Sequence, residues 1–174
     1  MHTKTKNIAI MGLMTALICA LSPIMFPMPG GIGITLGLFV ILLVTYLMGT
    51  LKSLICYGLY IIIGAIGIPV FAGFMGGFSR VVGPTGGYLI GYVAVIILAG
   101  VFLHLGKNKI LMFIIGSVLG ISVCYIIGSF WFMHVMELDW KQTVWLCVIP
   151  YIPFDVLKII AVCIIGPVIK KNIT

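Results

Sequence analysis

Six long apolar runs leave this chain almost no choice of fold. They fall at roughly residues 7–25, 33–50, 53–68, 86–105, 109–133 and 143–169. A helix of about 20 apolar residues crosses the hydrocarbon core of a bilayer. The third run is the shortest, and Gly64 and Gly67 loosen its end. Only 7% of the residues are charged, against about 25% in a soluble domain, so the chain has no surface to offer water. The sequence predicts an all-α integral membrane protein, with residues 1–174 forming one transmembrane domain of six helices in a single bundle. No soluble domain, linker or internal repeat is visible.

The formal charge of +7 does not require a nucleic acid, because membrane proteins collect Lys and Arg in their cytoplasmic loops. With the N-terminus cytoplasmic, that side collects Lys4, Lys6, Lys52, Lys107, Lys109, Lys170 and Lys171, while the outer loops hold Arg80 and Lys141. The bias predicts a multi-pass protein of the cell membrane with both termini cytoplasmic. Lys4 and Lys6 precede an apolar run with no small-residue cleavage site, so that run reads as a retained span. The five cysteines are scattered through apolar runs, with no CxxC, and read as small buried hydrophobes. His2, His104 and His134 are far apart. No metal site, cofactor motif or catalytic constellation appears, and there is no Walker A loop to hydrolyse ATP. The expectation is a protein that is not an enzyme.

One stretch interrupts the apolar pattern. Gly67 to Gly91 holds Pro69, Pro84, many glycines and Arg80, the only arginine. It cannot be one straight helix. Irregular backbone at membrane depth is tolerated only against protein or a cavity, so this loop reads as one wall of a small-molecule site. At its end, Gly83-Pro84-Thr85-Gly86-Gly87-Tyr88 opens the fourth span. Thr85 is placed to cap that helix. The amides of Gly86 and Gly87 could face an anion at the helix N-terminus, and Tyr88 offers a ring face and a hydroxyl.

Two charges lie inside the last run, Asp155 and Lys158. Each costs about 2.5–3.5 kcal/mol at mid-membrane on insertion scales. Their spacing puts them about 60° apart around a helix and about 4.5 Å along it. They could be a self-neutralising structural pair or a polar ligand site. Pro150 and Pro153, one turn earlier, should bend the helix. In the first run Gly12, Ala16 and Ala20 line one face, a small-residue row suited to close helix approach, within the bundle or with a partner.

Gly83–Tyr88, followed by Leu89, Ile90 and Gly91, resembles the BioY family, the biotin-binding S components of energy-coupling factor (ECF) transporters. Pro153-Phe154-Asp155-Val156-Leu157-Lys158 resembles the last-helix motif of the same family, and Gly67-Ile68-Pro69-Val70-Phe71 the start of its third outer loop. The resemblance spans essentially all six runs. It departs at Thr35-Leu36-Gly37, where many members carry glutamine in place of the glycine. It also departs at Met75, where some members have asparagine, and at Leu89, where some have arginine.

The resemblance implies a six-helix bundle that captures biotin near the outer face. It implies partners, a transmembrane T component and two cytoplasmic ATPases, with the row Gly12, Ala16 and Ala20 facing the T component. It implies a ligand site drawn from Asp155, Lys158, Arg80, Tyr88, Gly83, Thr85, Gly86 and Gly87. Asp155 would accept the ureido N–H groups, and Lys158 or Arg80 would meet the carboxylate tail. The alternatives are an S component for another vitamin, an intramembrane enzyme using Asp155 and Lys158, and a structural membrane subunit without a ligand.

Overall fold

The computed structural model describes residues 2–27 and 33–173. It is built almost entirely of helices: α1 (His2–Leu21), α2 (Gly37–Met48), α3 (Thr50–Ala65), α4 (Phe78–Val81), α5 (Gly86–Leu105), α6 (Lys109–Met136), α7 (Trp140–Cys147) and α8 (Ile152–Ile173). By length and composition α5, α6 and α8 can cross a membrane, and α1 from Thr5, α2 and α3 are shorter apolar helices.

α2 is the axis of the bundle. Val40, Ile41, Leu42, Val44 and Thr45 are all buried, as expected of a helix that is hydrophobic all round. On one side Leu42 joins Val95 of α5, Phe113 of α6 and Val162 of α8 in one core. On the other, Val40 and Ile41 join Ile18 of α1, Cys56 of α3 and Ile96 of α5 in a second. The Thr45 hydroxyl is satisfied by donating to the Ile41 carbonyl at 2.7 Å.

α5 and α6 form an antiparallel pair joined by a tight connection. A Cβ on Gly91 would fall 2.9 Å from Cys124 Cα, and one on Gly120 would fall 2.7 Å from Val95 Cα. Glycine therefore sets how closely these backbones approach, the small-residue packing that serves helices in lipid.

Two features differ from the sequence expectation. The final run of 143–169 is two helices, not one. Pro150 and Pro153 each lack a backbone donor, and turns interrupt the helix between Cys147 and Ile152. Pro153 then sits in the first turn of α8, where its missing N–H is tolerated. The connection after α1 also contains a short antiparallel hairpin, β1 (Met25–Phe26) paired with β2 (Ile34–Thr35). Residues 28–32 of that connection lie outside the described residues, as does the side chain of Lys4.

The Gly67–Gly91 stretch is, as expected, no single helix. Gly73 and Gly77 take φ of 73° and 102°, which glycine adopts without strain. Phe71 and Met75 close a tight turn by exchanging backbone hydrogen bonds. The turn is tied down at both sides: Gly73 N–H donates to Pro23 C=O at 3.0 Å, and Gly77 N–H to Gly64 C=O at 2.7 Å. The loop is thus a fixed cover over one end of the bundle.

Candidate ligand site

Under that cover lies a cavity of about 180 Å³, far more than the ~10–15 Å³ that houses one water. Its walls come from every part of the chain that the fold gathers at this end. α1 and the hairpin give Ser22, Met25 and Thr35, the cover gives Phe71, Met75 and Arg80, and α5, α6 and α8 give Tyr88, Tyr92, Tyr125, Asp155 and Lys158.

Asp155 is the polar centre. It stands in the first turn of α8 and is 6% exposed. Lys158 Nζ donates to Oδ1 at 2.8 Å, and Tyr125 Oη donates to Oδ2 at 2.5 Å. Phe154, Val156 and Leu157, the neighbours of Asp155 on α8, are 42%, 47% and 61% exposed. The apolar residues therefore look outward and the charged pair looks into the cavity. Both carboxylate oxygens are held, yet each keeps a lone pair for a further donor.

The other expected site residues divide into two groups. Arg80, Thr85 and Tyr88 line the cavity with Asp155 and Lys158. Arg80 lies exposed on α4 and makes no ion pair among the described residues. Thr85 occupies the N-cap position of α5, but its side chain makes no capping hydrogen bond, which corrects the expected cap. Tyr88 packs its ring on Gly128, with its hydroxyl 3.4 Å from Ser129 Oγ. Gly83, Gly86 and Gly87 are packing residues behind this wall. The Gly83 carbonyl accepts from Trp131 Nε1 at 2.9 Å and from Gly86 N–H at 2.9 Å. A Cβ on Gly87 would strike the Trp131 side chain at 2.3 Å. The Gly86 amide is thus spent within its own turn.

Sequence reasoning missed Tyr60, Tyr92, Tyr125 and Tyr151, which with Tyr88 put five of the seven tyrosines on the cavity. The signal was present. A tyrosine inside an apolar span carries a hydroxyl that needs a partner, and five of them imply a shared polar interior. Among the described residues no three His, Cys, Asp or Glu side chains converge as a metal site would require.

The row Gly12, Ala16 and Ala20 does not pack inside the bundle. All three are exposed on α1, and a Cβ at Gly12 would meet nothing within 4 Å.

The sequence profile of the BioY family matches residues 1–174. The chain belongs to the BioY family. Relatives cover nearly the whole of it. The biotin transporter BioY of Thermotoga maritima is 31% identical over 92% of this chain and 93% of its own. The probable biotin transporter BioY of Pyrococcus horikoshii is 32% identical over 97% and 99%. The biotin transporter BioY2 of Lactococcus lactis is 30% identical over 95% and 90%. The crystal structure of the S-component for biotin from an ECF-type ABC transporter superposes with a TM-score of 0.86, at 26% identity, over 98% of this chain and 93% of that one. This BioY-family fold therefore holds an ion pair at the wall of a cavity.

Removing one partner of a buried pair strands the other charge, at a cost of about 3–5 kcal/mol. Lys158→Met should lower the thermal unfolding temperature of the detergent-purified protein clearly. Asp155→Leu combined with Lys158→Met should recover most of that loss. A single Lys158→Met variant as stable as wild type would show that the pair is not coupled.

Proposed function

We propose that this chain is the substrate-capture component of a biotin uptake transporter, binding the vitamin in the cavity beneath the Gly67–Gly91 cover. One observation carries the reading: Asp155 is buried, held by Lys158 and Tyr125, and lines the cavity, in a chain that matches the BioY family over residues 1–174.

Biotin presents two ureido N–H donors beside a carbonyl, an apolar thioether ring and a carboxylate tail. Asp155 supplies the acceptors for the two N–H groups. Lys158 uses one of its donors on Asp155 and has others left for the ureido carbonyl. Phe71, Met75 and the tyrosine rings supply apolar contact for the bicycle. No bond is made or broken in this scheme; the protein recognises and releases. The Asp155–Lys158 pair, costly in an empty bundle, is retained because the ligand completes its hydrogen bonds.

In this reading six helices span the cell membrane, α1, α2, α3, α5, α6 and α8, with both termini cytoplasmic and the cover on the outer side. The lysine bias supports this orientation, and a C-terminal reporter active only in the cytoplasm reads it directly. Release inward draws on a T component and two cytoplasmic ATPases, since the chain carries no phosphate-binding loop of its own. The exposed row Gly12, Ala16 and Ala20 is the face for the T component, open for close helix approach.

Two tests follow. Asp155→Asn keeps the size of the side chain but loses the charge and one acceptor. Isothermal titration should show biotin affinity down by at least about a hundredfold, the scale set by truncating one side of a buried charged hydrogen bond. Unchanged affinity in a well-folded variant rules the site out. Ala16→Phe should leave biotin titration unchanged and abolish co-purification with the T component. Normal co-purification would place the partner elsewhere.

A further inference from the structure

Three buried side-chain oxygens among the described residues have no hydrogen-bond partner, those of Ser22, Ser53 and Ser117. Of these, Ser22 lines the cavity. It follows the end of α1 and is 3% exposed. A buried hydroxyl without a partner is uncommon in native proteins and calls for a reason.

The wall around Ser22 leaves space for one. A Cβ on Gly37, at the start of α2, would lie 3.2 Å from Ser22 Oγ and 3.3 Å from Thr35 Oγ1. The bare glycine therefore leaves both hydroxyls beside one open corner, and all three residues line the cavity. The corner is built at the end of α1, from β2 and at the start of α2, whereas Asp155 stands on α8. The Tyr60 hydroxyl does not meet Ser22 Oγ in hydrogen-bonding geometry.

We propose that the corner formed by Ser22, Thr35 and Gly37 is a second polar subsite, where the Ser22 hydroxyl donates a hydrogen bond to the carboxylate at the end of the ligand tail. The proposal rests on the biotin reading and deepens it. Among the described residues Asp155 is the one acidic side chain on the cavity wall and its countercharge Lys158 is already engaged, so the anionic end of the ligand goes to the corner, which holds no acidic group. Lys158 is engaged by Asp155 at 2.8 Å and stays at the ring pole. An uncharged hydroxyl donor then anchors the tail, and Arg80 on the cover adds positive charge to the same cavity.

An orphan hydroxyl used by a ligand gives a signature that a structural serine does not. Its removal relieves the empty protein and harms only the complex. The full-length protein in detergent should be compared as wild type, Ser22→Ala and Gly37→Ala. Each is measured by thermal unfolding without ligand, and by titration with biotin and with a biotin analogue whose tail ends in a methyl group.

Ser22→Ala should unfold at the wild-type temperature or above and should weaken biotin about ten- to a hundredfold, the scale of a hydrogen bond to a charged group. It should bind the methyl-ended analogue as wild type does. Gly37→Ala, which fills the corner, should also weaken biotin more than the analogue. Equal losses for both ligands, an unfolding temperature lowered by Ser22→Ala, or unchanged biotin binding would each overturn the subsite. Wild-type protein that binds no biotin would instead overturn the ligand reading beneath it.

Discussion

The hydrogen-bonded set Tyr125–Asp155–Lys158 is the constraint around which the rest of the molecule is arranged. A carboxylate buried between apolar helices is tolerated only with its oxygens occupied and its charge balanced. Lys158 can balance it because one helical turn separates the two on α8. Tyr125 can reach it because α6 is locked against α5 at glycine contacts, which fixes where its side chains project. Moving α6 outward by the width of one methyl group would unmake the second of these contacts before any ligand arrived.

The cover is a consequence of the same economy. A charged pair facing open solvent would need no enclosure, and one facing lipid would not be stable. The chain encloses it with a glycine-built turn whose amides bond to Pro23 and Gly64. The turn therefore draws the α1 end, the hairpin and the α3 end together over the pair. Ser22, Thr35, Tyr60 and Arg80 reach the cavity through that closure. The charged pair of α8 and the hydroxyl at the end of α1 thus line one tyrosine-walled cavity, which suits a ligand that is both polar and apolar.

Much of this was legible in the sequence, and the illegible parts have physical reasons. The helical, apolar character of the chain could be read because apolar runs of membrane length have few other uses, and α5 and α6 fall where two of those runs lie. Asp155 and Lys158 could be read because charge inside such a run is costly enough to need a purpose. The hidden break before α8 arose because two prolines three residues apart can bend or sever a helix, and only packing decides. The glycines at 86 and 87 looked like an anion site, yet they make room for Val81 and for Trp131, the latter a contact far away in sequence. Gly116, Gly120, Cys124 and Gly128 repeat at every fourth residue on α6, a legible sign of the close α5–α6 approach. Tyr125 and Ser22 could not be assigned from spacing, since only the assembled bundle shows which hydroxyls meet Asp155 and which meet nothing.

The account stands on the charged pair facing its ligand and not merely neutralising itself. A crystal structure of the protein with biotin bound tests this most directly. It should show the ureido nitrogens within hydrogen-bond distance of the Asp155 oxygens, with the tail running under the cover away from α8. A biotin ring bound elsewhere, with the Asp155–Lys158 pair sealed behind side chains and touching no ligand atom, would contradict it.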